Sequence, residues 1–264
     1  MALDYLDHLV RESARFAEAL RDAPSEARVP SCPDWDADDL LWHLGEVQWF
    51  WGEVVESRLT DHADVEALSP GDRPADRAGL ERFYADASAR LGKVLTDTLP
   101  EATVWTWSDE QTAGFIRRRQ AHEALVHRLD AELTAGNRSA MDPALCADGI
   151  DEVLRIMYGG HPCWSTFTRA DGRTFRLSAT DTGDSWLVTL GRLTGVDPDS
   201  GPIDETDIEI APTDPGSPAA ATVTGTAEDL NCWLWHRPQT GELARSGDES
   251  VLAEFEQMIG PGIQ

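Results

Sequence analysis

The stretch RQAHEALVHR, residues 119–128, predicts a helix that presents a carboxylate and an imidazole on one face. Glu123 and His127 are separated by four positions, and side chains at i and i+4 are neighbours one helical turn apart. A second candidate helix, DLLWHLG at residues 39–45, carries His43. Two imidazoles and one carboxylate would suit zinc or a similar divalent ion and would leave one coordination position open. We therefore predict a metal site formed by His43, Glu123 and His127.

The same stretch looks like the zinc-protease motif H-E-x-x-H, but it is one residue too long. That motif requires histidines at i and i+4, whereas His122 and His127 stand at i and i+5. At 3.6 residues per turn they point about 140° apart and cannot bind one ion from one face. On a helical wheel the apolar arc is centred nearer His122 than His127. Periodicity therefore predicts that His122 is buried and that Glu123 and His127 lie at the edge of the arc.

The first half of the chain has the apolar periodicity of four amphipathic helices of about twenty residues each. We expect them at residues 4–22, from the N-cap Asp36 onward, at 76–98, and at 113–135 with an end near Gly136. Four such helices predict a four-helix bundle. The segment 60–74 is long enough to cross that bundle as a loop.

The pattern changes after Asp142-Pro143. A helix is expected from Ala144 to about Tyr158, and alternating segments at residues 175–179, 185–190, 207–210 and 221–225 predict strands. Residues 197–203 and 212–218 are expected to be loops, and residues 228–236 and 249–259 late helices. The fold class is therefore α+β, with a helical bundle at residues 1–140 and a smaller α+β domain at 141–264.

Composition narrows the classes of partner. The chain has 22 basic and 48 acidic residues, a net charge of −26, which disfavours nucleic acid and anionic membrane surfaces. The N-terminus lacks a basic or apolar leader, and the apolar runs are too short to span a bilayer. Scattered cysteines without a C-x-x-C pair fit a reduced compartment. We expect a cytoplasmic protein that binds neither nucleic acid nor membrane.

Three further features have both a functional and a structural interpretation. Arg117, Arg118 and Arg119 lie near the start of the fourth helix, where cations oppose the helix dipole; they could bind an anionic ligand or pair with local carboxylates. Arg237 ends a late helix, where it could cap that helix or reach a substrate carboxylate. Cys32, in a Pro-Ser-Cys-Pro turn, could be a nucleophile or a small packing residue.

Three stretches resemble the mycothiol-dependent maleylpyruvate isomerase family: VPSCPDWDADDLLWHLG (29–45), RRQAHEALVHRLD (118–130) and the segment 225–237. The resemblance implies a DinB-like four-helix bundle followed by a sterol-carrier-protein-like α+β domain. It also implies zinc held by His43, Glu123 and His127, with Arg237 acting at an interdomain cleft. Asp34 stands where a glycine is frequent in the family, which does not affect the ligands.

The function implied is that of a zinc-dependent isomerase or S-transferase with mycothiol as thiol cosubstrate. A thiolate formed at the metal would add to an electrophilic small molecule, and Arg237 and residues 117–119 would hold carboxylates of the substrate or thiol. Two alternatives remain open. One is a metal-binding regulatory module without catalysis. The other is a metal-dependent hydrolase, which needs a general base beside the metal; the sequence assigns none, although Asp130 and His122 are near the candidate ligands in sequence.

Overall fold

The computed structural model describes residues 3–211 and 217–262 and divides into two compact units, Met1–Met141 and Asp142–Gln264. The first unit is helical and the second combines helices with a β-sheet, which confirms the predicted α+β class. The elements of the first unit, in chain order, are α1 (Tyr5–Leu20), β1 (Arg28–Val29), β2 (Cys32–Asp36), α2 (Ala37–Glu56), α3 (His62–Glu66), α4 (Arg77–Asp97) and α5 (Ala113–Ala135).

The four long helices of this unit pack mainly in two pairs, α1 with α5 and α2 with α4, and α2 also contacts α5. Phe16 and Leu20 of α1, Leu40 and Leu44 of α2 and Tyr84 of α4 belong to one buried core cluster. Helix α5 is buried over most of its surface and includes buried polar residues. A helix buried on nearly all sides has no single polar face, so its apolar arc is a weak guide to its orientation.

Local sequence sets the ends of the two helices that carry the candidate ligands. Asp36 caps α2 as predicted: its carboxylate accepts from the backbone N–H of Asp38 and Asp39, and Asp39 accepts from the N–H of Asp36. This capping box fixes the start of α2 two turns before His43. Gly136 ends α5 in the left-handed conformation, with φ of 72°, which glycine adopts without the steric cost of a Cβ.

Two elements of the first unit differ from the prediction. The proline-rich segment expected to be a turn does turn at residues 30 and 31, but this turn joins the unpredicted strands β1 and β2. The predicted loop 60–74 contains the short helix α3. Strand β1 has two residues, with Arg28 paired to Asp36 and Val29 to Cys32. A strand of this length cannot display the alternation by which strands are recognised in sequence.

The second unit contains α6 (Pro143–Glu152), a π-helical turn (Val153–Tyr158), β3 (Ser165–Ala179), β4 (Ser185–Asp197), β5 (Gly201–Ala211), β6 (Ala221–Gly225), α7 (Ala227–Leu234), β7 (Ala244–Gly247) and α8 (Glu249–Ile259). The five strands form one sheet in the order β5-β4-β3-β6-β7. The pairs β3–β4, β4–β5 and β6–β7 are antiparallel, whereas β3 and β6 are parallel.

Strands β3, β4 and β5 are longer than predicted, β6 has the predicted bounds, and β7 was not predicted. Much of β3 before Phe175 is at least partly exposed, and β7 is exposed throughout. These residues are held in strands by backbone pairing, so their sequence shows no apolar alternation from which a strand could be predicted. The predicted loop 197–203 is wrong in its second part, because β5 begins at Gly201. Most of the predicted loop 212–218, residues 212–216, lies outside the described residues.

Candidate metal centre

The structure brings His43 of α2 together with Glu123 and His127 of α5. Nε2 of His127 lies 3.2 Å from Oε1 of Glu123, and Nε2 of His43 lies 3.9 Å from the same oxygen. One donor atom from each of the three residues lies within 4.8 Å of the other two. The two imidazole centroids are 4.8 Å apart, with the rings nearly perpendicular. Two imidazoles and one carboxylate therefore point toward a common centre.

This arrangement fits a divalent metal ion. With ligand bonds of about 2.0–2.1 Å, neighbouring donor atoms of a tetrahedral zinc site are about 3.3–3.4 Å apart. The separations of 3.2 Å and 3.9 Å around the Glu123 carboxylate require only small side-chain adjustments. The donor set also suits zinc chemically, because imidazole nitrogen and carboxylate oxygen are common zinc ligands. Three protein ligands would leave a position for a further molecule.

The remaining carboxylate oxygen of Glu123 contacts Arg119. The Arg119 guanidinium donates to Oε2 through Nε at 3.2 Å and also through Nη2. Burial alone would raise the pKa of Glu123, but Arg119 and the nearby imidazoles of His127 and His43 hold this pKa well below its usual range. Glu123 is therefore ionised at neutral pH, and Oε1 is the oxygen that faces both imidazoles.

The second nitrogen of His127 is also engaged. Its Nδ1 lies 3.0 Å from Oδ2 of Asp130, a fully buried carboxylate one turn further along α5. Burial would lower the pKa of His127, but the hydrogen bonds with Asp130 and Glu123 raise it. Without metal, His127 therefore remains an imidazolium, protonated on both ring nitrogens, to higher pH than a typical histidine. A cation that binds Nε2 must displace the proton on that nitrogen.

The other predicted candidates near the centre have different environments. His122 is buried, as the helical wheel predicts, and its ring packs edge-on to Tyr5 at 6.2 Å. It is not part of the three-residue group. Asp130 faces His127 from the side of Nδ1, away from the nitrogen that faces Glu123. Asp130 therefore lies behind a candidate ligand rather than beside the position that a metal-activated water would occupy. Cys32 is half-buried and packs against the core cluster.

The three clustered arginines have separate roles in the structure. Arg117 donates through Nη2 to the carbonyls of Leu95 and Thr98 at the end of α4, where a cation complements the helix dipole. Arg119 pairs with Glu123, which corresponds to the carboxylate-pairing alternative. Arg118 is half-buried. Binding of an anionic ligand by these arginines stays a prediction.

Arg237 lies at the end of the second unit's helix α7. The residue is 9% exposed, and its Nη1 donates to the carbonyl of Trp235 at 2.7 Å. Its backbone N–H donates to the carbonyl of Cys232, so the residue caps α7 as one of the two interpretations proposed. Its charge acts on Tyr158: burial raises the pKa of that phenol to about 12, and the guanidinium opposes the rise.

Three residues that support the centre were not identified as functional from sequence. Asp130 was considered only as a possible base; its spacing of three residues from His127 is the signal that could have indicated a hydrogen-bond partner. Ser31 donates to Oδ1 of Asp130. The indole of Trp35 packs on the His43 ring, with centroids 4.7 Å apart. Ser31 lies in the turn of the β1–β2 hairpin and Trp35 on strand β2, which was not predicted.

Comparisons with known proteins agree with the resemblance seen in the sequence. Residues 6–132 match the family model described as the mycothiol maleylpyruvate isomerase N-terminal domain, and residues 144–254 match the MDMPI C-terminal domain. No curated protein sequence matches the chain. Among the described residues, none of the helices combines the length and apolar character needed to cross a bilayer.

Two solved structures have a similar fold. One is a histidine-to-alanine variant of the mycothiol-dependent maleylpyruvate isomerase, with a TM-score of 0.61, and the other is the crystal structure of that isomerase, with a TM-score of 0.57. Each is 12% identical to this chain, and each alignment covers 93% of both chains. At this identity the similarity shows a shared fold over nearly the whole length.

Proposed function

Because the chain belongs to the mycothiol-dependent maleylpyruvate isomerase family, we propose that it is a zinc-dependent enzyme that uses mycothiol to isomerise an electrophilic small molecule. His43, Glu123 and His127 would bind the metal ion. The observation that supports this proposal most directly is the position of their three donor atoms, all within 4.8 Å of one another. These atoms come from two helices that are far apart in sequence.

The chemistry follows from a thiol near that centre. A bound divalent cation would lower the pKa of a coordinating thiol, so that the thiol would bind as a thiolate at neutral pH. The thiolate sulfur would add to one carbon of a cis double bond that is conjugated to a carbonyl. A C–S bond forms, and the π-electron pair moves onto the carbonyl oxygen as an enolate. Rotation about the resulting single bond, followed by expulsion of the thiolate, would restore the double bond in the trans configuration.

In this scheme the residues of the chain position groups rather than exchange protons. Glu123 and His127 are each held by a second partner, Arg119 and Asp130 respectively, so their donor atoms keep a fixed direction. Arg237 would bind a carboxylate of the substrate, since a guanidinium matches a carboxylate through paired hydrogen bonds. Transfer of the thiol to a substrate without elimination would share the addition step and would differ in its product.

The proposal is tested by replacing single ligands. We expect His127→Ala and His43→Ala to lose stoichiometric zinc and mycothiol-dependent turnover of maleylpyruvate, the substrate in the family's name. Bound zinc is measured by elemental analysis, turnover by the absorbance of the substrate, and thiol binding by calorimetry with and without a chelator. His122→Ala is the matched control, because His122 lies on the same helix but packs against Tyr5.

The outcomes separate the possible functions. Wild-type zinc content and turnover in His127→Ala would reject the ligand assignment. Zinc without mycothiol affinity would indicate a binding module, and zinc-dependent hydrolysis that does not require a thiol would indicate a hydrolase. The protein could bind zinc and mycothiol and turn over another conjugated acid instead of maleylpyruvate. That result would support the mechanism and identify a different substrate.

A further inference from the structure

Behind the candidate metal ligands lies a hydrogen-bonded chain of two residues. Asp130 is fully buried, and its Oδ2 is 3.0 Å from Nδ1 of His127. Its other oxygen, Oδ1, accepts a hydrogen bond from the hydroxyl of Ser31. Ser31 lies 99 residues away in sequence, in the turn between β1 and β2. Two distant segments of the helical unit therefore meet behind one imidazole.

The hydrogen bonds of Asp130 with His127 and Ser31 select the tautomer of His127. An ionised carboxylate can only accept hydrogen bonds, so the nitrogen that faces Asp130 must carry a proton. In the neutral ring the lone pair is then on Nε2, the nitrogen that lies 3.2 Å from Oε1 of Glu123. The opposite tautomer would place a proton on the nitrogen that must coordinate the metal. A carboxylate behind a ligating histidine also increases the basicity of the ligand.

The hairpin that supplies Ser31 also supports the second imidazole. Trp35 on β2 packs against the ring of His43, with centroids 4.7 Å apart. The hairpin is tied to α2, because Asp36 at its end is the N-cap of that helix. The stretch 29–45 therefore contributes more than one ligand: it contacts His127 through Asp130 and contacts His43 directly.

We propose that Asp130 and Ser31 are positioning residues of the metal site, which hold His127 with Nδ1 protonated and Nε2 directed at the metal. The inference rests on the proposed function. It goes beyond that function, because neither residue would touch the metal, the thiol or the substrate. Asp130 acts on His127, and Ser31 acts by fixing the carboxylate plane of Asp130.

The first test compares zinc affinity among four variants. We expect Asp130→Asn to bind zinc about 10–100-fold more weakly than wild type, as is typical when the partner of a ligating histidine is lost. We expect Ser31→Ala to show a smaller loss in the same direction. Affinity is measured by competition with a chromogenic chelator. Melting of each metal-free variant shows whether it is folded.

Glu132→Gln and Ser139→Ala are matched controls. Glu132 is also a buried carboxylate on α5, and it accepts a hydrogen bond from the Ser139 hydroxyl at 2.7 Å. This pair contacts Arg128 rather than a candidate ligand. The control variants should lower the melting temperature and leave zinc affinity unchanged. Equal losses of zinc affinity in Asp130→Asn and Glu132→Gln would overturn the positioning role.

The second test reads the tautomer of His127 directly in metal-free protein. The ring nitrogen shifts, measured by ¹⁵N NMR at a pH where the ring is neutral, should show a proton on Nδ1 in wild type and in Glu132→Gln. In Asp130→Asn the introduced amide can also donate, so the opposite tautomer should become populated. An unchanged tautomer together with unchanged zinc affinity would reject the inference and leave the proposed function standing. Failure of the wild-type protein to bind zinc would reject both.

Discussion

The pair formed by Arg119 and Glu123 leads to a prediction that links stability to metal binding. The Arg119 side chain is 5% exposed and that of Glu123 is 18% exposed, and the guanidinium contacts Oε2 through two nitrogens. Removing one partner of a buried ion pair costs about 3–5 kcal/mol. Glu123 retains partial exposure and a neighbouring imidazole, so we expect Arg119→Met to cost about 3 kcal/mol, at the lower end of that range.

This free energy converts to a melting temperature. The helical unit spans residues 1–141, and an unfolding entropy of about 2.1 cal/mol/K per residue gives roughly 0.3 kcal/mol/K. A loss of about 3 kcal/mol should therefore lower the melting temperature of the metal-free protein by about 10 °C. Saturating zinc should reduce the difference from wild type by at least half, because a cation at Oε1 replaces the charge that the variant lacks.

The assay is thermal denaturation followed by circular dichroism, with chelator and with zinc. Arg169→Met is the control, because the Arg169–Glu209 pair is exposed and exposed pairs contribute little. It should melt like wild type in both conditions. If Arg119→Met and Arg169→Met have the same melting temperature, the free-energy cost assigned to removing one partner of the buried pair is refuted. A difference that zinc does not reduce would refute the position of the cation at Glu123.

Three further changes test other parts of the fold. Burial would raise the pKa of Asp229, but hydrogen bonds from Thr226, Gly241 and Thr240 hold this pKa below its usual value. The ionised carboxylate therefore stabilises the folded state above about pH 4, and this stabilisation is lost as pH falls through the lowered pKa. Asp229→Asn should therefore lose about 2 kcal/mol at pH 7, and denaturant titrations should show that the difference disappears in strong acid. Gly136→Ala should cost about 1 kcal/mol in urea titrations, since its φ of 72° strains a residue with a Cβ although the space around it is open. Arg128→Met should cost about 3–5 kcal/mol by the same measurement, because it leaves the buried carboxylates of Glu12 and Glu132 without this cation.

The long helices could be predicted because their signals are local, whereas the short helix α3 was missed. The N-cap at Asp36 and the glycine at the end of α5 were identified from sequence, since each depends on a few adjacent residues. The hairpin β1–β2 and the strand β7 could not be found in this way. These strands have two to five residues each. Strands β1 and β2 are too short to show apolar alternation, and the exposed strand β7 is fixed by its pairing with β6.

The candidate site shows the same limit. The spacing of Glu123 and His127 was visible on one helix, but their approach to His43 depends on the packing of α2 against α5. The helical wheel placed the two candidate ligands of α5 at the edge of an apolar arc, whereas His127 is 7% exposed. Its burial is made possible by Asp130, because a buried polar group needs a hydrogen-bond partner. A wheel records apolarity and cannot show such a pairing.

The partners of the candidate ligands also affect the charge of the molecule that the proposed site would favour. Arg119 contacts one oxygen of Glu123 and Asp130 contacts one nitrogen of His127, so each ligand presents one remaining donor atom. The carboxylates of Glu123 and Asp130 and the guanidinium of Arg119 together carry a net charge of −1. A divalent cation would change this sum to a single positive charge in a mostly buried environment, where electrostatic interactions are stronger than in water. An anionic fourth ligand would neutralise that charge, and either a thiolate or a hydroxide formed from bound water would do so, because zinc lowers the pKa of both. The electrostatic balance therefore favours an anionic fourth ligand, and a requirement for thiol in turnover distinguishes the thiol-dependent proposal from hydrolysis.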